Sequence, residues 1–251
     1  MSGAKMTLPV RSSLVALLQR ESAPWAEDGE RVMDPIYELL RGPVLWITFL
    51  VFSMGMIVRL AILYRLSKER DGVFYNHVDM KWGLRSIGHW LVPLGTRSLR
   101  SQPLFSIATY IFHVCLFAVP LFLLAHSTLW NESFGVSLWS LPDRLADFLT
   151  ILMIGAATFL FARRLVRSEV RILSAPWDYV LLILAVLPFL TGFLAYHQVG
   201  PYRLMLVLHI LSGEILLIII PFTMLGHFIL FFFTRAFIGF EMGARRGARP
   251  W

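Results

Sequence analysis

The sequence is poor in cysteine and in charged residues. Its single cysteine, Cys115, excludes an internal disulfide, a CxxCH haem-attachment motif and an iron–sulfur cluster held by this chain alone. A redox cofactor would therefore have to be held by histidines. Charged residues make up 16% of the 251 residues and hydrophobic residues 57%, a composition that does not fit a water-facing surface. The composition predicts an integral membrane protein.

Motifs of soluble enzymes are also lacking. The sequence contains no P-loop, no GxGxxG after a strand, no HExxH and no nucleophile elbow, so no catalytic residue is assigned. The net charge of +7 could suggest a nucleic-acid partner. In so apolar a chain, however, Lys and Arg kept in cytoplasmic loops explain the charge, and we expect no nucleic acid to bind.

Five apolar stretches are long enough to cross the hydrocarbon core as helices. They are predicted at 44–63, 104–129, 145–161, 179–196 and 204–233. Connections on one side carry 15 Lys and Arg residues, while the N-terminal segment and the remaining connections together carry seven. This asymmetry predicts an all-α bundle of five transmembrane helices with the N-terminus outside and the C-terminus in the cytoplasm.

The chain is predicted to form one membrane domain with two flanking segments. Residues 1–41 are expected outside or at the interface, residues 42–240 form the membrane domain, and residues 241–251 form a basic cytoplasmic tail. Within the domain, the connection 65–103 mixes aromatic and basic residues as an interfacial helix does. That helix could serve as a membrane anchor alone or as a docking surface.

Four of the seven histidines fall inside predicted spans, where a polar ring needs a partner or a function. His209 and His227 are 18 residues apart, so both leave one face of a helix about 27 Å apart. His113 and His126 are 13 residues apart, which leaves their rings about 140° out of phase on a straight helix. A kink at Pro120 would repair part of this error.

Antiparallel spans fix which histidines share a depth. His126 would pair with His209 near the outer surface, and His113 with His227 near the inner surface. Two pairs of neutral imidazoles are the axial ligands that two six-coordinate haem irons require. Gly213 and Gly226 stand beside the ring positions, where a porphyrin face needs close approach of the backbone. The spacing therefore predicts two haems b.

The histidine spans resemble a known family. Five spans with an external N-terminus, two histidines in the second span and an 18-residue pair in the fifth resemble the gamma (cytochrome b) subunit of respiratory nitrate reductase over residues 42–240. The segments FHVCLFAVPLFLLAH and HILSGEILLIIIPFTMLGH are more similar to homologues in sulfate-reducing bacteria. The 13-residue spacing is longer than that of the nitrate reductase subunit and favours the latter branch.

The resemblance implies a location and partners. It implies a multi-pass subunit of a bacterial cytoplasmic membrane complex, with two haems b and quinone chemistry, menaquinone being a candidate. It also implies electron exchange with a cytoplasmic iron–sulfur subunit and an external multihaem cytochrome c. Such a subunit carries electrons for an oxidoreductase complex and is not expected to be catalytic alone.

Other polar positions leave alternatives open. Glu214, in the fifth span, could relay protons from a quinone or hydrogen-bond a neighbouring helix. Arg203 and Arg235 stand near the depths of haem propionates, although cytoplasmic topology explains Arg235 as well. Arg59 could snorkel to the surface or pair with a propionate. No metal is assigned to the histidines of the connections, which are His77, His89 and His197.

An alternative from another functional class remains. The chain could be a haem-free membrane anchor, or a transporter subunit whose histidines relay protons. It would then show no b-type absorbance.

Overall fold

In the computed structural model, the structure describes residues 34–248. All regular secondary structure in that part is helical. Residues 34–39, at the start of the described part, are α-helical, and ten α-helices with both ends described follow: α1 Leu45–Arg70, α2 Met80–Leu91, α3 Arg97–Ser101, α4 Pro103–Phe122, α5 Leu124–Phe134, α6 Asp143–Val166, α7 Ser168–Ile172, α8 Pro176–Tyr196, α9 Tyr202–Ile219 and α10 His227–Ile238. Short π or 3-10 segments join or extend them at Leu40–Val44, Gly72–His77, Ile220–Phe222, Met224–Gly226 and Gly239–Arg245.

Helix ends follow the capping chemistry of the sequence. The Asp79 side chain accepts hydrogen bonds from the backbone at the start of α2, and Thr96 does the same for α3. Pro103 and Pro176 occupy the first turns of α4 and α8, where a missing N–H costs nothing. Gly135 ends α5 with φ of 68°, a left-handed conformation that glycine adopts without steric cost.

Six helices of the described part are long and apolar enough to cross a membrane. They are Asp34–Arg70, Pro103–Phe122, Asp143–Val166, Pro176–Tyr196, Tyr202–Phe222 and Met224–Arg245. The first four overlap four predicted spans. The prediction of one continuous helix over 204–233 was wrong, because the chain there divides into two candidates. The protein is therefore a multi-pass, all-helical membrane protein with lipid as a partner.

The break in 204–233 lies at residues 220–226. Pro221 has no N–H to donate to the preceding turn, and Thr223 is extended, with φ of −124° and ψ of −178°. The predicted span 104–129 is also interrupted, because Leu123 has ψ of 134° and separates α4 from α5. Both histidine-bearing spans are thus broken helices.

The core lies where α4, α6 and α8 meet. Buried Phe112 and Cys115 pack there with Met153, Ala157 and Phe189. Many large apolar side chains are exposed on the outer faces of the helices, for example Leu50 at 63% and Ile57 at 59%. Hydrocarbon, rather than water, is the solvent that accepts such faces.

The interfacial helix predicted within 65–103 is α2, and one of its faces packs inside the chain. α2 lies antiparallel to α10 and the following turns: Arg235 stacks on the Trp90 ring at 3.7 Å, whereas Gly239 and Gly243 pass against Trp82. Glycines let the two backbones approach closely. Further along the basic tail, Arg246 pairs with Glu241 at 2.7 Å, and residues 249–251 lie outside the described part.

Candidate functional site

Four intramembrane histidines form two pairs in the structure. The rings of His113 and His227 have centroids 5.8 Å apart, and those of His126 and His209 have centroids 5.9 Å apart. A metal held between two imidazoles by bonds of about 2 Å would place the ring centroids about 6 Å apart. The histidines that the sequence matched in depth are therefore neighbours. Their role as ligands stays a prediction.

The Nδ1 atom of each of these rings bonds to a backbone carbonyl. The distances are 2.7 Å for His113 to Thr109, 2.8 Å for His126 to Pro120, 2.8 Å for His209 to Pro188 and 2.8 Å for His227 to Met224. A carbonyl only accepts, so Nδ1 carries the hydrogen, and Nε2 of a neutral ring keeps its lone pair. No described residue hydrogen-bonds any of the four Nε2 atoms. This is the arrangement of metal-bound histidines.

The break after α4 explains how His126 reaches its partner. In a continuous helix, the Pro120 carbonyl would accept a hydrogen bond from the N–H of residue 124. The extended Leu123 interrupts the helix, so this hydrogen bond does not form. The Pro120 carbonyl accepts from His126 instead. The phase error of the 13-residue spacing is thus removed by the break, and the planes of the His126 and His209 rings lie within 15°.

Small residues adjoin the His126/His209 pair. A Cβ on Gly192 would lie 2.8 Å from Nδ1 of His209, so α8 needs glycine there to admit the ring. Gly213, one turn after His209, faces open space that extends at least 4 Å from an added Cβ. At Gly226 a Cβ would lie 2.8 Å from the Arg59 guanidinium, so the glycine admits that side chain, and its predicted role beside a porphyrin stays a prediction.

Arg59 binds the broken segment between α9 and α10. Its Nη1 donates to the Pro221 carbonyl at 2.9 Å and also to the Thr223 carbonyl. Both carbonyls belong to residues at the helix break, and a charged donor is the strongest partner for them. In the structure, the Arg59 Nη1 atom is directed at the helix break. It fixes the turn that leads into His227.

Arg203 and Arg235, predicted near propionates, both have partners within the described chain. Arg203 pairs with Asp34 at 3.3 Å and lies over the Tyr37 ring at 5.7 Å. Arg235 stacks on Trp90. Their predicted role stays a prediction.

Glu214 is buried, with 3% of its surface exposed, and so is Thr48, with 0%. Among the described residues, the two Glu214 carboxyl oxygens have no hydrogen-bond partner, and neither does the Thr48 hydroxyl. Leaving such a group unpaired costs about 1–3 kcal/mol.

Of the connection histidines, His197 bonds to Asp147 at 3.1 Å.

The histidine pairs fit haem b in donor type, tautomer and separation. Within residues 34–248 no three or more His, Cys, Asp or Glu side chains gather as for a metal held by the protein alone. Two ligands per iron suffice for haem, because the porphyrin supplies the others. Sequence reasoning missed Gly192, Thr48 and the carbonyl acceptors. Of these, only Thr109, one turn before His113, was detectable from spacing.

Comparison with known proteins finds a relative of nearly the same size. A protein of Nitratidesulfovibrio vulgaris, whose name is simply "Protein", is 40% identical over 226 residues, covering 86% of this chain and the whole of the relative. No family model matches the chain, and no solved structure matches it.

Proposed function

From the premise that this chain belongs to one family with the Nitratidesulfovibrio vulgaris protein, we propose that it is the dihaem cytochrome b subunit of a respiratory redox complex. His113 and His227 would hold one haem b, and His126 and His209 the other. The relative comes from a bacterium, and the name of that relative states no activity. The chemistry is argued from the histidines.

The pairing of four carbonyl-bonded histidines carries the proposal. Packing alone gives no reason for every intramembrane histidine to be paired and to direct Nδ1 to a carbonyl. A bis-histidine haem requires both features, since it needs two Nε2 lone pairs and two fixed ring orientations.

The proposed topology is five crossings with the N-terminus outside. Arg203 lies beside Asp34 at the start of the first span, and Arg245 lies 3.9 Å from Asp71, just after its end. Residues 203–245 therefore run along the whole first span in one direction. α10 packs on α2 rather than back along α9. This supports one broken crossing over 203–245 instead of two.

Haem b at each pair would supply one-electron chemistry. The chain's own task is to hold the rings, exclude water and set their surroundings, so that electrons cross between the two faces of the bacterial cytoplasmic membrane. We propose a quinol, such as menaquinol, or an external multihaem cytochrome c on one side, and a cytoplasmic iron–sulfur subunit on the other. The chain would not be catalytic alone.

The test is a haem determination on the detergent-purified protein by pyridine haemochrome. We expect two haems b per chain, about one in His209→Ala and in His227→Ala, and two in the control His197→Ala. A folded wild-type protein without b-type absorbance would overturn the proposal and favour the haem-free anchor or proton-relay subunit.

A further inference from the structure

The first span and the chain from α9 to Pro221 lie side by side and run parallel. Arg203 lies over Tyr37, and a Cβ on Gly55 would lie 2.6 Å from Pro221. In both pairs the residue numbers differ by 166 (203 − 37 and 221 − 55). The two contacts show that the segments run parallel. Residues 40–44, between Tyr37 and Thr48, form a π segment with a non-helical Gly42, so the Gly55/Pro221 contact sets the level of the α1 residues.

The same offset places Glu214 level with Thr48 (214 − 48 = 166). Glu214 is seven residues before Pro221 and Thr48 seven before Gly55, so two helical turns put each on the stripe that faces the other helix. Thr48 and Glu214, two of the four described side chains whose buried polar atoms have no hydrogen-bond partner, are thus on facing stripes of one interface.

Thr48 behaves differently from other threonines in the apolar helices. Thr109, Thr150, Thr158 and Thr191 each donate to the carbonyl four residues earlier, which satisfies a hydroxyl within its own helix. The Thr48 hydroxyl makes no such bond, although it is buried. It is available to a partner outside α1.

We propose that Thr48 and Glu214 bind a hydroxyl-bearing ligand between α1 and α9, either a water molecule or the hydroxyl of a quinol. A hydroxyl both donates and accepts, so it can bridge an alcohol and a carboxyl that are not bonded to each other. The quinol case rests on the proposed function, whereas the water case does not. The site lies five residues, about 7.5 Å of helix rise, beyond His209.

Charged groups do not replace the ligand. The elements packed around Glu214 carry titratable or charged groups at Tyr202, Arg203 and His209 on α9, at Arg59, Tyr64, Arg65, Lys68, Glu69 and Arg70 on α1, at Arg41 before α1, and at Asp178, Tyr179 and Tyr196 on α8. His209 bonds to Pro188, Arg59 to the helix break and Arg41 to Glu132. None of them hydrogen-bonds Glu214 within residues 34–248.

Infrared difference spectroscopy on the purified full chain tests the site. The carboxyl band of Glu214 is obtained by subtracting the infrared spectrum of Glu214→Gln from that of the wild type, and for each further variant by subtracting its own Glu214→Gln double variant. We expect this band to shift in Thr48→Val, because the shared ligand loses its second anchor. In the control Ser53→Ala, an exposed position on the same helix, the band should stay in place. An identical band in wild type and Thr48→Val would overturn the proposal.

Addition of menadiol, a naphthoquinol without an isoprenoid tail, distinguishes the two ligands. A further band shift in wild type that is lost in Thr48→Val identifies a quinol hydroxyl. A Thr48-sensitive band that menadiol leaves unchanged identifies water. Haem content of the same samples tests the proposed function separately: a haem-free wild type with a Thr48-sensitive band would contradict haem binding and leave the water site supported.

Discussion

The two histidine pairs are oriented by different parts of the molecule. In the His113/His227 pair each ring bonds to a carbonyl of its own helical turn, at Thr109 and Met224. In the His126/His209 pair one ring bonds across a helix break and the other across a helix interface, to Pro188 on α8. The first pair is set by local backbone and the second by packing.

This difference decides what each pair depends on. His209 keeps its orientation only while α8 and α9 stay in contact, and that interface adjoins the buried core. His227 depends instead on the turn at 220–226, which Arg59 holds through two carbonyls. Substitutions in α8 should therefore affect one pair, and substitutions at Arg59 the other.

The largest effect is expected from removing the rings themselves. In a redox titration followed by absorbance, His126→Ala and His209→Ala should lose the same one of two b-type components. His113→Ala and His227→Ala should lose the other, because each substitution removes one of the two protein ligands of that haem. His89→Ala, in a connection, is the control and should keep both components. Loss of different components in His126→Ala and His209→Ala would contradict the pairing.

Next in size is the effect of Arg59→Leu. It removes two charge-assisted hydrogen bonds, worth together about 3 kcal/mol, and leaves the Pro221 and Thr223 carbonyls without them. We expect the component of the His113/His227 pair to fall well below the other in the same titration. Arg65→Leu on the same helix, where the Arg side chain is 78% exposed, should change neither. Equal loss of both components would show that Arg59 supports the bundle and not one pair.

The pairs themselves could be predicted from sequence, but the devices that build them could not. Spacing and antiparallel order brought His113 to His227 and His126 to His209. Periodicity reports only the phase of a regular helix, so the 13-residue spacing looked unfavourable until the extended Leu123 was seen. The break at 220–226 could not be predicted either, because an apolar sequence looks the same whether or not the backbone hydrogen bonds of its helix are continuous.

Polar contacts across the bundle were the other limit. Arg59 was expected at the surface or at a propionate, since the sequence does not show which carbonyls a broken helix leaves available. Gly192 carries no local signal, because its need arises from the His209 ring of another helix. The proposed pairing of Thr48 with Glu214 through a ligand depends on how α1 and α9 pack, which the sequence does not show.

A smaller and selective effect is expected for Gly192→Ala. The new Cβ would lie 2.8 Å from Nδ1 and 2.9 Å from Cε1 of His209, so the ring must give up part of its bond to Pro188. We expect partial loss of the His126/His209 component alone, measured as its share of total haem. The matched control is Gly155→Ala on α6, where a Cβ meets nothing within 4 Å and helix propensity improves. An unchanged share in Gly192→Ala would mean that α8 does not confine the ring.

The most subtle difference between the pairs is the angle between their ring planes. Ring planes in the His126/His209 pair lie 15° apart, whereas those of the His113/His227 pair lie 83° apart. Parallel imidazoles split the π-bonding iron orbitals in one direction and give ferric haem a rhombic low-spin EPR spectrum. Perpendicular imidazoles leave those orbitals nearly equal and give a strongly anisotropic one. We therefore expect two distinct low-spin signals from the oxidised protein, with the rhombic signal absent in His209→Ala and the anisotropic signal absent in His227→Ala. Two superimposable signals would show that both rings of a pair turn freely, and that the local and packed modes of holding a histidine are equivalent in this protein.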